Sequence, residues 1–275
     1  KTLEKYRTML ADQIQYFKVT QYFFFKQWSE LKHYANQKGI KIIGDMPIYV
    51  AADSVEVWTK PELFQLDKER NPLFVAGVPA DQFSATGQLW GNPLYDWKEH
   101  KKQGYTWWIH RIEESFKIYD VLRIDHFKGF SDYWQVDGKA DIAKYGSWQP
   151  GPGYDLFKVV KEQLGDLPII AEDLGNIDEK ARKLLTDCNY PGMKILQFGF
   201  EDVSGESLDS PHYCIPHSIV YTGTHDNDVT NGWYNSLTEQ QQQYTNDYTH
   251  RREDESICQA MIRQLFATVS NTAIA

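Results

Sequence analysis

The chain has 275 residues, enough for one large domain or two small ones, and 41% of them are hydrophobic, so it can bury a full core and lacks the composition of a disordered chain. A formal net charge of −9 argues against phosphate backbones and anionic membranes as partners, so neither nucleic acid nor membrane binding is expected. No run approaches the roughly 18 apolar residues of a membrane helix. Residues 1–10 lack the apolar centre of a signal peptide. Cys188, Cys214 and Cys258 show no C-x-x-C spacing, which makes a reduced, cytoplasmic protein the simplest expectation. Aromatic residues reach 15%, with nine Trp and 17 Tyr. A large core accounts for them, and so does a carbohydrate site where flat rings lie on the apolar faces of sugars.

In chain order, Phe24, Trp28, Leu31 and Ala35 keep helical spacing, and Gly39 suits the C-terminal cap. Residues 40–43 (Ile-Lys-Ile-Ile) read as a strand stopped by Gly44-Asp45-Met46-Pro47. Trp108, Ile112 and Phe116 mark a second helix and residues 119–124 a second strand. Leu156, Val159, Val160 and Leu164 mark a third helix and residues 168–171 a third strand. Ala181, Leu184 and Leu185 precede a strand at residues 193–198, and another strand follows at residues 218–221. Ile257, Met261, Leu265 and Phe266 form a last helix before a strand opening at residue 272. Helices alternating with short apolar strands predict a parallel sheet. An open doubly wound sheet usually carries a glycine-rich phosphate loop, and neither G-x-G-x-x-G nor G-x-x-x-x-G-K-[ST] is present. Polar residues at the ends of several strands favour a closed β/α barrel. Residues 51–100 are too long for a simple crossover. Their aromatic and glycine-rich sequence predicts a partly ordered lid over the active site.

Three strand ends carry carboxylates. In Val121-Leu122-Arg123-Ile124-Asp125-His126-Phe127, alternation places Arg123 and Asp125 on one face. A guanidinium favours the ionised carboxylate, as a nucleophile requires; a structural ion pair fits the same residues. In Pro168-Ile169-Ile170-Ala171-Glu172-Asp173, partial burial would raise the pKa of Glu172, as a general acid requires, while Asp173 suits a cap of the following turn; both could also be solvated caps. Residues 221–228 (YTGTHDND) offer many hydrogen bonds to hydroxyls. One His with two Asp is also a possible cation set, but no D-x-D-x-D-G or H-E-x-x-H motif supports a metal, and His225 could equally be a core or capping residue. Retaining glycosidic chemistry uses two carboxyl groups about 5–5.5 Å apart, one attacking the anomeric carbon and the other exchanging the proton. Asp125 and Glu172 suit those roles, with Asp226 stabilising developing positive charge and no cofactor required. No G-x-S-x-G elbow supports serine chemistry, and the cysteines read as small core residues.

Five segments, Gly44-Asp45-Met46-Pro47-Ile48-Tyr49-Val50, FSATGQLWGNPLYDW at residues 83–97, Arg123-Ile124-Asp125-His126-Phe127, Ala171-Glu172-Asp173-Leu174-Gly175 and Thr222-Gly223-Thr224-His225-Asp226-Asn227-Asp228, resemble the amylomaltases, the 4-α-glucanotransferase (disproportionating enzyme) family related to the α-amylases. The resemblance runs over essentially the whole chain. It implies a single catalytic (β/α)8 TIM-type barrel domain over residues 1–275, with residues 51–100 inserted between barrel strands three and four. It implies Asp125 as nucleophile, Glu172 as acid/base and Asp226 as transition-state stabiliser. It further implies that Arg123 and His225 hold the nucleophile and donor sugar, that Asp45 lies in the substrate site, and that Asp81, Gln88 and Trp90 belong to the mobile loop over the glucan. Neither a metal nor a cofactor is implied. Lys128 replaces the family's usual Arg and Val229 its usual Thr. By the family's order the chain begins before strand three and stops at the start of strand eight, which implies an incomplete barrel in a fragment of a longer chain, with apolar faces at both broken edges. The expected reaction is transfer of α-1,4-glucan segments between malto-oligosaccharides through a covalent glycosyl-enzyme. The aromatic loop is the physical reason to expect transfer, since excluding water disfavours hydrolysis. An amylase-type hydrolase is the alternative, and a non-catalytic glucan-binding protein a further one.

Overall fold

The computed structural model describes residues 2–80, 84–175 and 177–275. It is an α/β fold. Six parallel strands, β1 (Ile43–Met46), β4 (Val121–Ile124), β7 (Ile169–Ala171), β8 (Gly192–Ile195), β9 (Ser218–Tyr221) and β10 (Thr272–Ile274), form two three-stranded sheets, β1-β4-β7 and β10-β9-β8. Four more, β2 (Phe74–Val78), β3 (Gln88–Pro93), β5 (Asp132–Asp137) and β6 (Gly146–Pro150), form an antiparallel sheet in the order β3-β2-β5-β6. The helices are α1 (Thr2–Met9), α2 (Ala11–Gln37), α3 (Val55–Thr59), α4 (Trp97–Lys102), α5 (Thr106–Ile118), α6 (Tyr154–Leu164), α7 (Glu179–Cys188), α8 (Leu196–Glu201), α9 (Thr230–Ser236), α10 (Glu239–Thr249) and α11 (Ile257–Phe266). Among the described residues, no helix is long and apolar enough to cross a membrane.

The central parallel strands β4, β7, β8 and β9 are largely buried, which is why they read as short apolar runs, while β1 and β10 are partly exposed. On one face Leu122, Ile124, Ile169 and Ala171 pack with Trp108 and Ile112 of α5, Leu156, Phe157 and Val160 of α6, and Leu184 of α7. On the other face Ile170, Met193, Ile195, Ile219 and Tyr221 form a separate cluster. Arg123 projects with this inner set, because it alternates with Leu122 and Ile124. Part of the aromatic excess is core: Tyr95, Trp97, Trp107, Trp108, Phe127, Phe130 and Phe157 pack together beside α5.

The two parallel sheets meet at β7 and β8, where Ala171 N–H donates to the Pro191 carbonyl (3.0 Å). Further along, side chains replace the ladder. Met193 N–H donates to Asp173 Oδ1 (2.7 Å) and Ile195 N–H to Asp209 Oδ1 (3.0 Å). Asp173, which the sequence suggested as a cap of the following turn, staples one sheet to the next. A Cβ at residue 192 would strike its carboxylate, so glycine is required there.

Several boundaries differ from the sequence reading. The first strand lies at Ile43–Met46 and not at residues 40–43, because Gly44 and Asp45 continue the ladder opposite Leu122 and Arg123. Gly44 fits because the Tyr119 ring occupies the space a Cβ would need. The strand expected at residues 193–198 ends at Ile195, and Leu196–Glu201 is helical. The described residues between 51 and 100 are more ordered than a loop. They supply α3, β2, β3 and the start of α4, and Phe64 bridges Tyr95 within them. Helix α2 ends with Gly39 in the left-handed region (φ 75°), as its predicted capping role requires. It docks by a narrow stripe: Trp28 Nε1 donates to the Ile118 carbonyl (2.7 Å), and Lys32 Nζ to that of Tyr119 (2.7 Å). Tyr16, Phe17, Tyr22, Phe23, Phe24 and Phe25 are exposed.

Candidate active site

The site lies past the C-terminal ends of the parallel strands and is organised round Arg123, whose side chain is only 8% exposed. Asp45 and Arg123 are register partners on β1 and β4. Arg123 Nη1 donates to Asp45 Oδ1 at 2.6 Å, and Nη2 lies 2.9 Å from Asp125 Oδ1 and 3.8 Å from Asp226 Oδ2. Its Nε faces Met193 Sδ at 3.4 Å. Asp226 follows β9, so one guanidinium spans groups from β1, β4 and the far side of the second sheet. The parallel strands must curve for this to occur. His225 closes the ring, with Nε2 at 3.5 Å from Asp45 Oδ2 and 3.4 Å from Asp226 Oδ1.

The backbone ladder continues past the strand ends and fixes the two central carboxyls. Asp125 N–H donates to the Met46 carbonyl (3.0 Å) and Glu172 N–H to that of Ile124 (3.0 Å). The Glu172 side chain accepts from Leu174 N–H through Oε1 (2.8 Å) and from His126 N–H through Oε2 (2.8 Å). Burial pushes its carboxyl up to about 7; the Leu174 amide opposes this, the charge of Asp125 adds to it, and Arg123 and the His126 amide oppose it. Glu172 therefore keeps a proton far above the ordinary carboxylate range. Asp125 was expected to be held low by Arg123. The guanidinium does act in that direction, but burial, followed by Asp45 and Asp226, outweighs it and leaves the carboxyl above its ordinary value.

The loop that presents Asp226 is built by its own side chains. Asn227 Oδ1 accepts from Thr224 N–H (2.8 Å) and from its hydroxyl (2.9 Å), and Asp226 N–H donates to Thr224 Oγ1 (3.3 Å). Buried Gln197 on α8 donates through Nε2 to the Asp228 carbonyl (3.0 Å), and its amide fills the space above Gly223. Sequence reading missed Gln197 because those residues were assigned to a strand; only a polar residue inside an apolar run marked it.

Gln88 and Trp90 sit on β3, where Trp90 Nε1 donates to Gln88 Oε1 (3.1 Å). The Trp90 ring meets His126 edge-on, with centroids 4.8 Å apart, and tilts against Tyr49 at 6.2 Å. The structure thus gathers Asp45, Arg123, Asp125, His225 and Asp226 into one charged network. Glu172 is bonded to the turn that follows Asp125, and Trp90 packs on that same turn. Asp81 lies outside the described residues. Among the described residues the grouping of metal-type ligand atoms is His110, Glu113 and Glu114, on the outer face of α5 and including none of these carboxylates, and Lys117 already bonds Glu114.

An α/β fold that collects carboxylates round one buried arginine at the C-terminal ends of parallel strands is a scaffold of the kind used by carbohydrate-active enzymes. The chain belongs to the 4-alpha-glucanotransferase family, whose model matches residues 1–275. It is 53% identical over 274 residues to the 4-alpha-glucanotransferase of Streptococcus pneumoniae, covering 99% of this chain and 54% of that one. To the Thermus thermophilus 4-alpha-glucanotransferase it is 42% identical over 281 residues, covering 100% of this chain and 56% of that one. The solved amylomaltase from Streptococcus agalactiae in complex with acarbose superposes with a TM-score of 0.97 at 59% identity, covering 99% of this chain and 55% of that one. The chain spans about half the length of the curated relatives it matches.

Proposed function

We propose that the chain carries the catalytic carboxyls of a retaining 4-α-glucanotransferase, acting on malto-oligosaccharides and longer α-1,4-glucans in the cytoplasm. The carrying observation is the contrast between a buried, proton-holding Glu172 and an Asp125 bound to Arg123. Asp125 attacks the anomeric carbon while Glu172 protonates the leaving 4-oxygen. Once Asp125 is esterified its charge is gone, and Glu172 ionises and takes the proton from the incoming sugar hydroxyl. Asp226, aligned by Asn227 and Gln197, stabilises the oxocarbenium-like transition state. Asp45, Arg123 and His225 hold the nucleophile and the donor sugar, with Asp81, Gln88 and Trp90 over the glucan. The relative solved with acarbose supports an α-glucan ligand. No step calls on a cofactor or metal.

The six parallel strands are read as consecutive strands three to eight of a (β/α)8 barrel, within one catalytic domain spanning residues 1–275. Residues 51–100 are its inserted lid region. Support comes from the chain-order neighbours within each sheet, the single backbone link between β7 and β8, and the reach of Arg123 from β4 to the loop after β9.

The test incubates the full-length protein with maltotriose and follows chain lengths and reducing ends together. A ladder of shorter and longer glucans at constant reducing ends is expected. Rising reducing ends without longer products would mean hydrolysis, and no product at all would leave a binding protein.

A further inference from the structure

The turn after β4 joins two features that the proposed mechanism treats separately, Trp90 and Glu172. His126 adopts the left-handed conformation (φ 51°, ψ 50°), which costs a residue with a Cβ roughly 1 kcal/mol or more. In return, consecutive N–H groups converge on Glu172. That of His126 meets the Oε2 of the side chain (2.8 Å), and that of Phe127 meets the main-chain carbonyl (3.1 Å). What confines this turn is the imidazole. One contact is the Trp90 ring, perpendicular at 88° with centroids 4.8 Å apart. Another is Gly129, where an added Cβ would lie 2.8 Å from Ile48 Cδ1 and 3.0 Å from His126 Cδ2, so a larger residue would press on the ring. Trp90 is in turn backed by Tyr49, which stacks on Tyr95.

We infer that His126 is a positioning residue through which Trp90 fixes the Glu172 carboxyl: the indole pins the imidazole, the imidazole pins the left-handed turn, and the turn aims its N–H at Oε2. The role of Glu172 as acid/base rests on the proposed function; the chain of contacts does not. Its consequence has a sign. An N–H on Oε2 favours the carboxylate form, so withdrawing it lets Glu172 keep its proton to higher pH. The charged and titratable groups around Glu172 are Asp125 and Arg123 at the end of β4, Asp45 and Asp226 on the same guanidinium, Asp173 beside it, and His126 and Lys128 on the turn. The His126 ring is neutral above about pH 4, so its own titration does not enter the range measured.

The experiment uses the full-length protein with Trp90→Ala, Trp90→Phe, His126→Gly and the Trp90→Ala/His126→Gly double variant. Glycine accepts the left-handed turn without strain, so His126→Gly removes the ring with little folding penalty. Two readouts are taken: the basic limb of the pH profile of kcat/KM for transfer, and the pH midpoint of carbodiimide modification of Glu172, followed by mass spectrometry without substrate. Trp90→Ala and His126→Gly are each expected to raise both midpoints by about one pH unit, the loss of one hydrogen bond to a charged carboxylate. Trp90→Phe should restore the parent values, and the double variant should shift no further than either single one. A Trp90→Ala protein that loses rate with both midpoints unmoved would overturn the inference, since the indole would then act on the sugar alone. If the parent transfers no glucan, the proposed function fails, and the modification midpoints still decide the role of His126.

Discussion

Replacing Arg123 by methionine keeps most of the side chain's volume in its closed setting and deletes the guanidinium shared by Asp45 and Asp125. Unit charges separated by 2.9 Å attract by about 6 kcal/mol at an effective dielectric constant near 20. Asp125 is 41% exposed, so solvent screening removes most of that and leaves about 1.5–3 kcal/mol, roughly one to two pH units. The sign follows from the site. Arg123 pulls the Asp125 carboxyl down against burial, Asp45 and Asp226, so its removal raises the carboxyl further. A nucleophile must be ionised, and the acid limb of kcat/KM should therefore climb by one to two units toward the basic limb set by Glu172 near 7. Arg123 also opposes the proton on Glu172, so the basic limb rises as well, but less, since the guanidinium stands behind other causes there; the bell narrows, moves to higher pH and falls in height. The assay is the pH profile of the full-length Arg123→Met protein beside Arg123→Lys, which keeps a charge but cannot serve several carboxylates with a planar fork. An acid limb that stays in place in Arg123→Met would refute the electrostatic account. An unaltered Arg123→Lys profile would show that charge suffices without the fork.

Asp125→Asn should lower transfer by at least about 10³-fold while leaving glucan binding, measured by calorimetry, nearly intact; retained turnover would remove Asp125 from its role. Glu172→Gln should cost about 10²–10⁴-fold on natural glucans and far less on a glycosyl fluoride, whose departure needs no proton; equal losses on both would speak against acid catalysis. His100 is 1% exposed and, among the described residues, neither ring nitrogen has a hydrogen-bond partner; burial, opposed by the nearby Leu63 carbonyl, lowers its pKa from 6.5 to about 4. The folded state then binds the proton more weakly than the unfolded one, so this contribution to stability is complete above about pH 6.5 and is lost as pH falls toward 4, amounting to about 2 kcal/mol at pH 5. His100→Phe should therefore lose less stability between pH 7 and pH 5 than the parent in chemical denaturation, and equal losses would contradict the assignment.

What was legible in the sequence tracks where side chains, and not backbone, decide the structure. Helices α5, α6, α7 and α11 each carry a buried apolar stripe, and those stripes were visible. Helix α10 carries only Tyr244 and Tyr248 against Phe200, and its fully buried residues, Thr245 and Thr249, are polar. Its sequence signal was the capping box between Thr238 and Gln241. Strand β3, Gln-Leu-Trp-Gly-Asn-Pro, contains three poor strand formers and forms because β2 pairs with it, and β2 itself pairs with β5, far along the chain.

The same division runs through the site. Asp125, Glu172 and Asp226 were found because carboxylates after apolar strands stand out whatever holds them. The groups that set their chemistry did not stand out, because they act through atoms every residue possesses: the N–H of His126 and Leu174 on Glu172, and the Asp228 carbonyl that Gln197 grips. The left-handed turn that aims the first of these is only faintly marked in sequence: histidine is enriched in that conformation, yet even histidine seldom adopts it. Only the packing of Trp90 and the bare Gly129 make that conformation the one available. The charge state of the proposed acid is thus set first by burial and trimmed by the amides at positions 174 and 126, while the carboxyl itself is written at 172 by identity.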